Sequence, residues 1–336
     1  MAFRNWTILL NILICLNFLP LAHSYIAIDE VSCTADQRSH IATAILELWK
    51  LTENAHTSFK KPQDAWVLKM FRGESASNMG QEAEWVQSHY QMIIEMFRPG
   101  DTITLFCSDT HLEQVKGPFG VTDPWDRVRA QPIELPNGKV WDDWQNCKDS
   151  KKLAYTLVST NDIILCPDML AESENNLIEY QDTPSKLRRF MVDDLDQTLP
   201  RAQYEADVMS KINSANYDRI DIIFGRSLAG VIMHELFHTK GGGKFSDYDA
   251  PNGPGGLSYC WNGCRDLTKM GLEGLTKAIS NPDSYRWYAI ATFIPGIDWS
   301  EQIAMQVEAV KKLHEKLAEL ESPEVRRRYL AGWKYS

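Results

Sequence analysis

Residues 228–243 read Leu228-Ala229-Gly230-Val231-Ile232-Met233-His234-Glu235-Leu236-Phe237-His238-Thr239-Lys240-Gly241-Gly242-Gly243. Six apolar or small residues lead into a His-Glu-X-X-His string, and three glycines close it. The apolar lead predicts a buried helix, Ser227 is a candidate N-cap, and the glycines predict the helix end and a reversal of the chain. On a helix, residues four apart lie on one face. His234 and His238 can therefore present imidazole nitrogens to one ion about 2.0–2.1 Å away. Glu235 sits beside the first of them, where a carboxylate can take a proton from a water and later hand it on.

Zinc is the metal that this spacing suits, and a working zinc site wants a third protein ligand and an open fourth position. The first glutamate after the motif is Glu273, and no Glu-rich helix start surrounds it. Asp247 and Asp249 follow the glycine turn, which can swing the chain back to the metal. Asp247 is the predicted third ligand.

Outward from this centre the chain reads as helices followed by a small sheet, an α+β pattern. Residues 34–55 carry Ile41, Ile45, Leu48 and Ala55 at helical spacing, with Thr34 and Gln37 placed for a capping box. Residues 82–97 repeat the period through Trp85, His89, Met92 and Met96. Residues 102–107 and 152–166 show short β-branched and aromatic runs, the second reading as two strands around Ser159-Thr160-Asn161-Asp162. Between them, residues 108–146 hold Pro118, Pro124, Pro132 and Pro136 and read as a long surface insertion. Residues 171–216 are polar, with a candidate helix at 204–213, and residues 221–224 resemble a short buried strand. Ile303, Val307, Val310, Leu313, Leu317 and Leu320 predict an amphipathic helix over 300–320, packed on the domain. His40, His56, His89, His111 and His314 are isolated and read as core or surface residues.

The amino terminus reads as a secretory signal peptide: Arg4, an apolar stretch from Trp6 to Leu21, then Ala22-His23-Ser24. The expected division is 1–24 signal peptide, 25–296 catalytic-type domain and 297–336 helical extension. No second apolar span follows, so no membrane association is expected after signal removal. The 336-residue chain carries 35 Lys+Arg against 45 Asp+Glu, a net charge of −10, and Arg4 leaves with the leader. Such acidity argues against nucleic acid as partner. Of the 7 cysteines, Cys15 lies in the leader. Cys33, Cys107, Cys147, Cys166, Cys260 and Cys264 remain, an even number that predicts disulfides in an exported chain. Cys260 and Cys264 could instead bind metal. No Asn-X-Ser/Thr sequon follows residue 24, so N-glycosylation is not expected.

The order His234 to His238, Gly241 to Asp247, Tyr259, and Asn281-Pro282-Asp283-Ser284-Tyr285 resembles the aspzincins, the family of deuterolysin and the fungal peptidyl-Lys metalloendopeptidases. That resemblance implies a zincin-like α+β fold with a small mixed sheet and an active-site helix, and a zinc endopeptidase acting on peptide or protein substrates; with the leader, the expectation is a secreted protein, and a monomer is expected. It further implies Cys33–Cys107 and Cys147–Cys166 disulfides, leaving Cys260 with Cys264. Ala154-Tyr155-Thr156 would be the substrate-lining edge strand, with Tyr155 at the substrate.

Departures from the family pattern bear on two roles. Lys244 and Phe245 replace the Gly and Thr of Gly-Thr-X-Asp, and 251–256 intervene before Tyr259. The tyrosine that would donate to the oxyanion on the scissile carbonyl is then Tyr259, with Tyr248 as alternative. In peptidyl-Lys members two acidic residues hold the substrate lysine. Asp283 matches the first and Arg286 replaces the second, so these substrate-binding positions predict no strict lysine preference. A competing expectation is a secreted zinc-binding or host-interaction protein that keeps the metal site without turnover.

Overall fold

The first long helix starts where its sequence says it should. Thr34 Oγ1 accepts from Gln37 N at 3.2 Å and Gln37 Oε1 accepts from Thr34 N at 2.9 Å, a complete capping box at the head of α1 (Ala35–Ser58). The computed structural model describes residues 26–59, 70–71, 81–98, 102–116, 122–133, 147, 152–170, 220, 224–225, 227–250, 258–293, 297–299 and 305–306. The signal peptide, the 171–216 segment with its candidate helix, and Asp221 to Ile223 of the expected strand lie outside them.

In chain order the elements are β1 (Ile26–Ile28), α1, α2 (Gln81–Glu95), β2 (Ile103–Phe106), β3 (Leu112–Lys116), β4 (Thr122–Asp126), β5 (Gln131–Pro132), β6 (Ala154–Leu157), β7 (Asp162–Leu165), α3 (Leu228–His238), α4 (Trp261–Thr268), α5 (Gly271–Ile279), α6 (Pro282–Phe293), β8 (Ile297–Asp298) and β9 (Met305–Gln306). β1, β2, β7 and β6 form one sheet in that order. Its first two pairings are parallel and the β6–β7 hairpin is antiparallel. The fold is α+β with a small mixed sheet and the motif helix beside it, as expected.

Side chains alternate across a strand, and this sheet uses both faces. Ile103, Leu105, Ile163 and Leu165 join the helical core with α1 and α3. Phe106, Tyr155, Leu157 and Ile164 point the other way, onto Leu112 and Ile133. α3 packs against α1, α6 and β6, which brings β6, an edge strand of the described sheet, alongside the motif helix.

Three expectations need correction. Residues 108–146 are not purely irregular, because β3, β4 and β5 form an antiparallel sheet. Pro124 lacks an N–H, yet its carbonyl accepts from Ile133 N at 3.0 Å, and buried Asp126 ties the sheet to β7. Arg129 bridges Asp126 at 2.7 Å and Asp162 at 2.6 Å, both carboxylates with 0% side-chain exposure. The buried face of α2 is Val86, Tyr90 and Ile93, whereas Trp85 is 48% exposed; apolar residues lie on two adjoining faces, and packing on α1 selects the other one. Within the helix expected over 300–320, Met305–Gln306 are extended and pair with Ile297–Asp298, so their backbone groups serve a strand ladder in place of a helical turn; residues 300–304 lie outside the described residues. Residues 307–336 lie outside the described residues.

Candidate metal centre

α3 is buried from Leu228 to Phe237 and capped by Ser227, whose Oγ accepts from Gly230 N at 3.3 Å. After His238 the chain must reverse at once. Phe245 N donates to Phe237 O at 2.9 Å, and Gly243 has φ +96°. A Cβ at Gly242 would lie 1.9 Å from Leu236 O, so the tight turn admits only glycine there. The turn delivers Phe245 and Asp247 to the exposed end of the motif.

His238 Nδ1 donates to Phe245 O at 2.7 Å. A carbonyl only accepts, so Nδ1 carries the hydrogen and the Nε2 lone pair faces the cluster. His234 Nδ1 faces Asp283 Oδ1 at 3.3 Å in a charge contact that lacks hydrogen-bond alignment, and its Nε2 is turned to the cluster. The two Nε2 atoms are 3.1 Å apart, and Asp247 Oδ1 is 3.3 Å from that of His234 and 3.5 Å from that of His238. Tetrahedral coordination at about 2.0–2.2 Å puts ligand atoms about 3.3–3.6 Å apart. Asp247 Oδ1 is also buried with no hydrogen-bond partner among the described residues. Three lone-pair donors converging on one point, one of them otherwise orphaned, fit a cation. Among the described residues His234, His238 and Asp247 are the cluster able to hold a metal ion.

The electrostatics agree. Burial alone would lower the His234 pKa, but the Asp283 and Asp247 carboxylates outweigh it and hold it well above the ordinary value. His238 is likewise raised, burial being outweighed chiefly by Asp247. Burial would raise Asp247, yet the two imidazoles hold it far below the usual carboxylate range. Positive charge is favoured at this point whether protons or a metal supply it.

Glu235 is buried, and its Oε2 accepts from Thr156 Oγ1 on β6 at 2.7 Å. Its charge raises the pKa of both His238 and Tyr259. Tyr259 reaches the cluster and donates from its hydroxyl to Asp247 Oδ2 at 3.0 Å. Burial, and then the Asp247 charge, push its pKa far up, so it stays a hydroxyl donor. Tyr248 points elsewhere, to Ser280 Oγ at 2.9 Å. Tyr259 is held in place by Ser258, which bonds Tyr248 O through its backbone at 2.9 Å and Asn281 Oδ1 through its hydroxyl at 2.7 Å.

Of the positions expected at the substrate, Asp283 and Arg286 lie inside the fold, at 1% and 6% exposure. Arg286 Nη1 pairs with Asp283 at 3.2 Å, and its Nη2 donates to the carbonyls of Phe224 and Gly225. Together they form a buried brace behind His234. Tyr155 points away from α3, its hydroxyl donating to Asp109 Oδ2 at 3.4 Å. It is the neighbouring Thr156 that faces the motif.

Cys33–Cys107 and Cys147–Cys166 are disulfides. Cys260 and Cys264 are not joined to each other and remain thiols. Cys260 is the N-cap of α4, accepting from Gly263 N at 3.3 Å. Cys264 Sγ is turned to Ser258 O at 3.2 Å and accepts from Asn281 Nδ2 at 3.4 Å, which leaves each thiol committed to its own contacts. Neither belongs to the metal cluster.

No protein-family model and no curated protein matches the chain. Among solved structures, a zinc peptidase from Grifola frondosa aligns with 76% of this chain and 96% of its own, at 13% identity and a TM-score of 0.38. A likeness of that size carries no argument, and the functional reading rests on the geometry above.

Proposed function

We propose that the protein is a secreted zinc endopeptidase of zincin-like fold. The observation that carries this is the convergence of His234 Nε2, His238 Nε2 and Asp247 Oδ1 within 3.1–3.5 Å, beside a carboxylate on the same helix that is not part of the cluster. A site that only stores metal has no use for Glu235. Zinc, when bound, supplies a Lewis acid and lowers the pKa of a water on it to about 7.

The chain's own residues do the rest. Glu235 takes the proton from the attacking water and delivers it to the leaving amine. Tyr259, whose one hydroxyl hydrogen goes to Asp247 Oδ2 in the structure, turns it to the oxyanion on the scissile carbonyl. Phe245 O and Asp283 fix the two imidazoles from behind, as outer-shell partners of metal ligands do. An extended peptide is taken up by pairing with β6, an edge strand of the described sheet. Asp283 already has Arg286 as counter-ion, so no lysine requirement is expected, and a peptide library should yield no dominant Lys at P1′.

Two disulfides support an oxidising compartment and with it the secretion that the amino terminus suggests. No helix among the described residues is long and apolar enough to cross a membrane. The protein is read as a monomer. Casein hydrolysis that is abolished by chelation and restored by zinc tests the proposal. A protein that holds zinc yet leaves casein intact refutes it in favour of a binding role.

A further inference from the structure

Thr156 is buried at 6% exposure in β6, and Glu235 is buried at 6% in α3. The Thr156 hydroxyl has one hydrogen and two acceptors in reach, Glu235 Oε2 at 2.7 Å and Glu235 O at 2.9 Å. The carboxylate is nearer and charged, so it takes the hydrogen. From this contact we infer that Thr156 is the positioning residue for Glu235: it pins Oε2 and leaves Oε1 as the oxygen that accepts a proton.

Three features make this a device rather than a chance contact. Alternation along β6 sends Tyr155 to the far face, where Asp109 receives its hydroxyl, and sends Thr156 toward α3. The β6–β7 hairpin pairs Thr156 with Ile163, so strand pairing sets the height of the hydroxyl. The hairpin turn is also clamped to the end of α3: Lys240 N donates to Asn161 Oδ1 at 3.2 Å and Lys240 Nζ to Ser159 O at 3.0 Å. Asn161 adopts φ +63°, a left-handed conformation that asparagine tolerates. Hairpin and helix therefore cannot slide past each other without breaking the clamp. A base must be held within a fraction of an ångström of its working position, and a hydroxyl on a paired strand does this better than solvent would.

This inference rests on the peptidase reading for its catalytic consequence, but the contact itself can be tested without turnover. Thr156→Val keeps the shape and removes the donor, and Thr156→Ser keeps the donor. In zinc-loaded protein, Thr156→Val should lower kcat by roughly 10- to 100-fold with KM and zinc content unchanged, and Thr156→Ser should restore most of it. In the Glu235→Ala background, Thr156→Val should lower the residual rate no further. In chelated protein, Thr156→Val should lower Tm roughly twice as much with Glu235 present as with Glu235→Ala, where only the neutral carbonyl remains to be lost. Equal Tm losses in the two backgrounds overturn the inference even if the protein cleaves peptides. Unequal losses in a protein that hydrolyses nothing uphold the contact and overturn the peptidase reading instead. If Thr156→Val lowers Tm but leaves kcat intact in an active parent, Thr156 is structural and the positioning role fails.

Discussion

Asp283→Asn keeps the shape of the side chain and removes its charge from behind His234. The amide oxygen keeps the place of the carboxylate oxygen facing Nδ1, so what is lost is electrostatic. At 3.3 Å two full unit charges in a medium of effective dielectric about 20 attract by about 5 kcal/mol. A metal-ligating imidazole carries only part of a unit charge, and outer-shell carboxylates of this kind typically contribute about 10- to 100-fold in metal affinity, or about 1.4–2.8 kcal/mol. Zinc affinity, measured by competition with a chromophoric chelator, should weaken by that factor. The same substitution strips buried Arg286 of its counter-ion, which costs about 3–5 kcal/mol of stability and lowers the Tm of the chelated protein by roughly 10 °C. Pairing Asp283→Asn with Arg286→Met separates the effects, because removing both charges should recover most of the Tm without recovering zinc affinity. An unchanged zinc Kd in Asp283→Asn would refute the brace.

Arg129→Ala leaves Asp126 and Asp162 buried without a cation and should cost about 3–5 kcal/mol; a calorimetric scan showing no loss would mean the sheets are not joined there. Non-reducing peptide mapping should find Cys33–Cys107 and Cys147–Cys166 linked, and Cys260 and Cys264 alkylated once the chain is denatured; a Cys260–Cys264 peptide would contradict the structure. The surrounding carboxylates raise the His234 and His238 pKa values, so in the metal-free protein these imidazoles hold protons more tightly than free ones do. The associated stability is complete below the ordinary histidine pKa and lost as pH rises through the raised values. Zinc must displace those protons, so affinity should rise with pH and titration calorimetry in two buffers should register proton release; buffer-independent heats would count against it.

Much of the centre was legible because it is local. Helical spacing joins His234 to His238, the turn glycines return the chain to Asp247, and Thr34 with Gln37 announces a helix start within four residues. The α2 face was not, since Trp85 and Val86 are both apolar and only packing on α1 decides which is covered. Prolines made β4 and β5 look irregular, although Pro124 needs only its carbonyl to join the ladder. The brace and the clamp were least visible. Asp283 and Arg286 look like surface charges three apart on a helix, and only the α3–α6 contact buries them behind His234. Thr156 meets Glu235 across 79 residues of chain, a contact that strand alternation allows but no local pattern states. The cysteine count invited a third disulfide that the N-cap geometry of Cys260 does not make.

The central claim, that a zinc held by His234, His238 and Asp247 works with Glu235 to cleave peptides, is tested most directly by measuring zinc content and casein hydrolysis of the purified mature protein beside Glu235→Ala. The expected result is equal zinc in both and hydrolysis lowered by at least roughly 10²- to 10⁴-fold in the variant. Equal hydrolysis by the two proteins would contradict it.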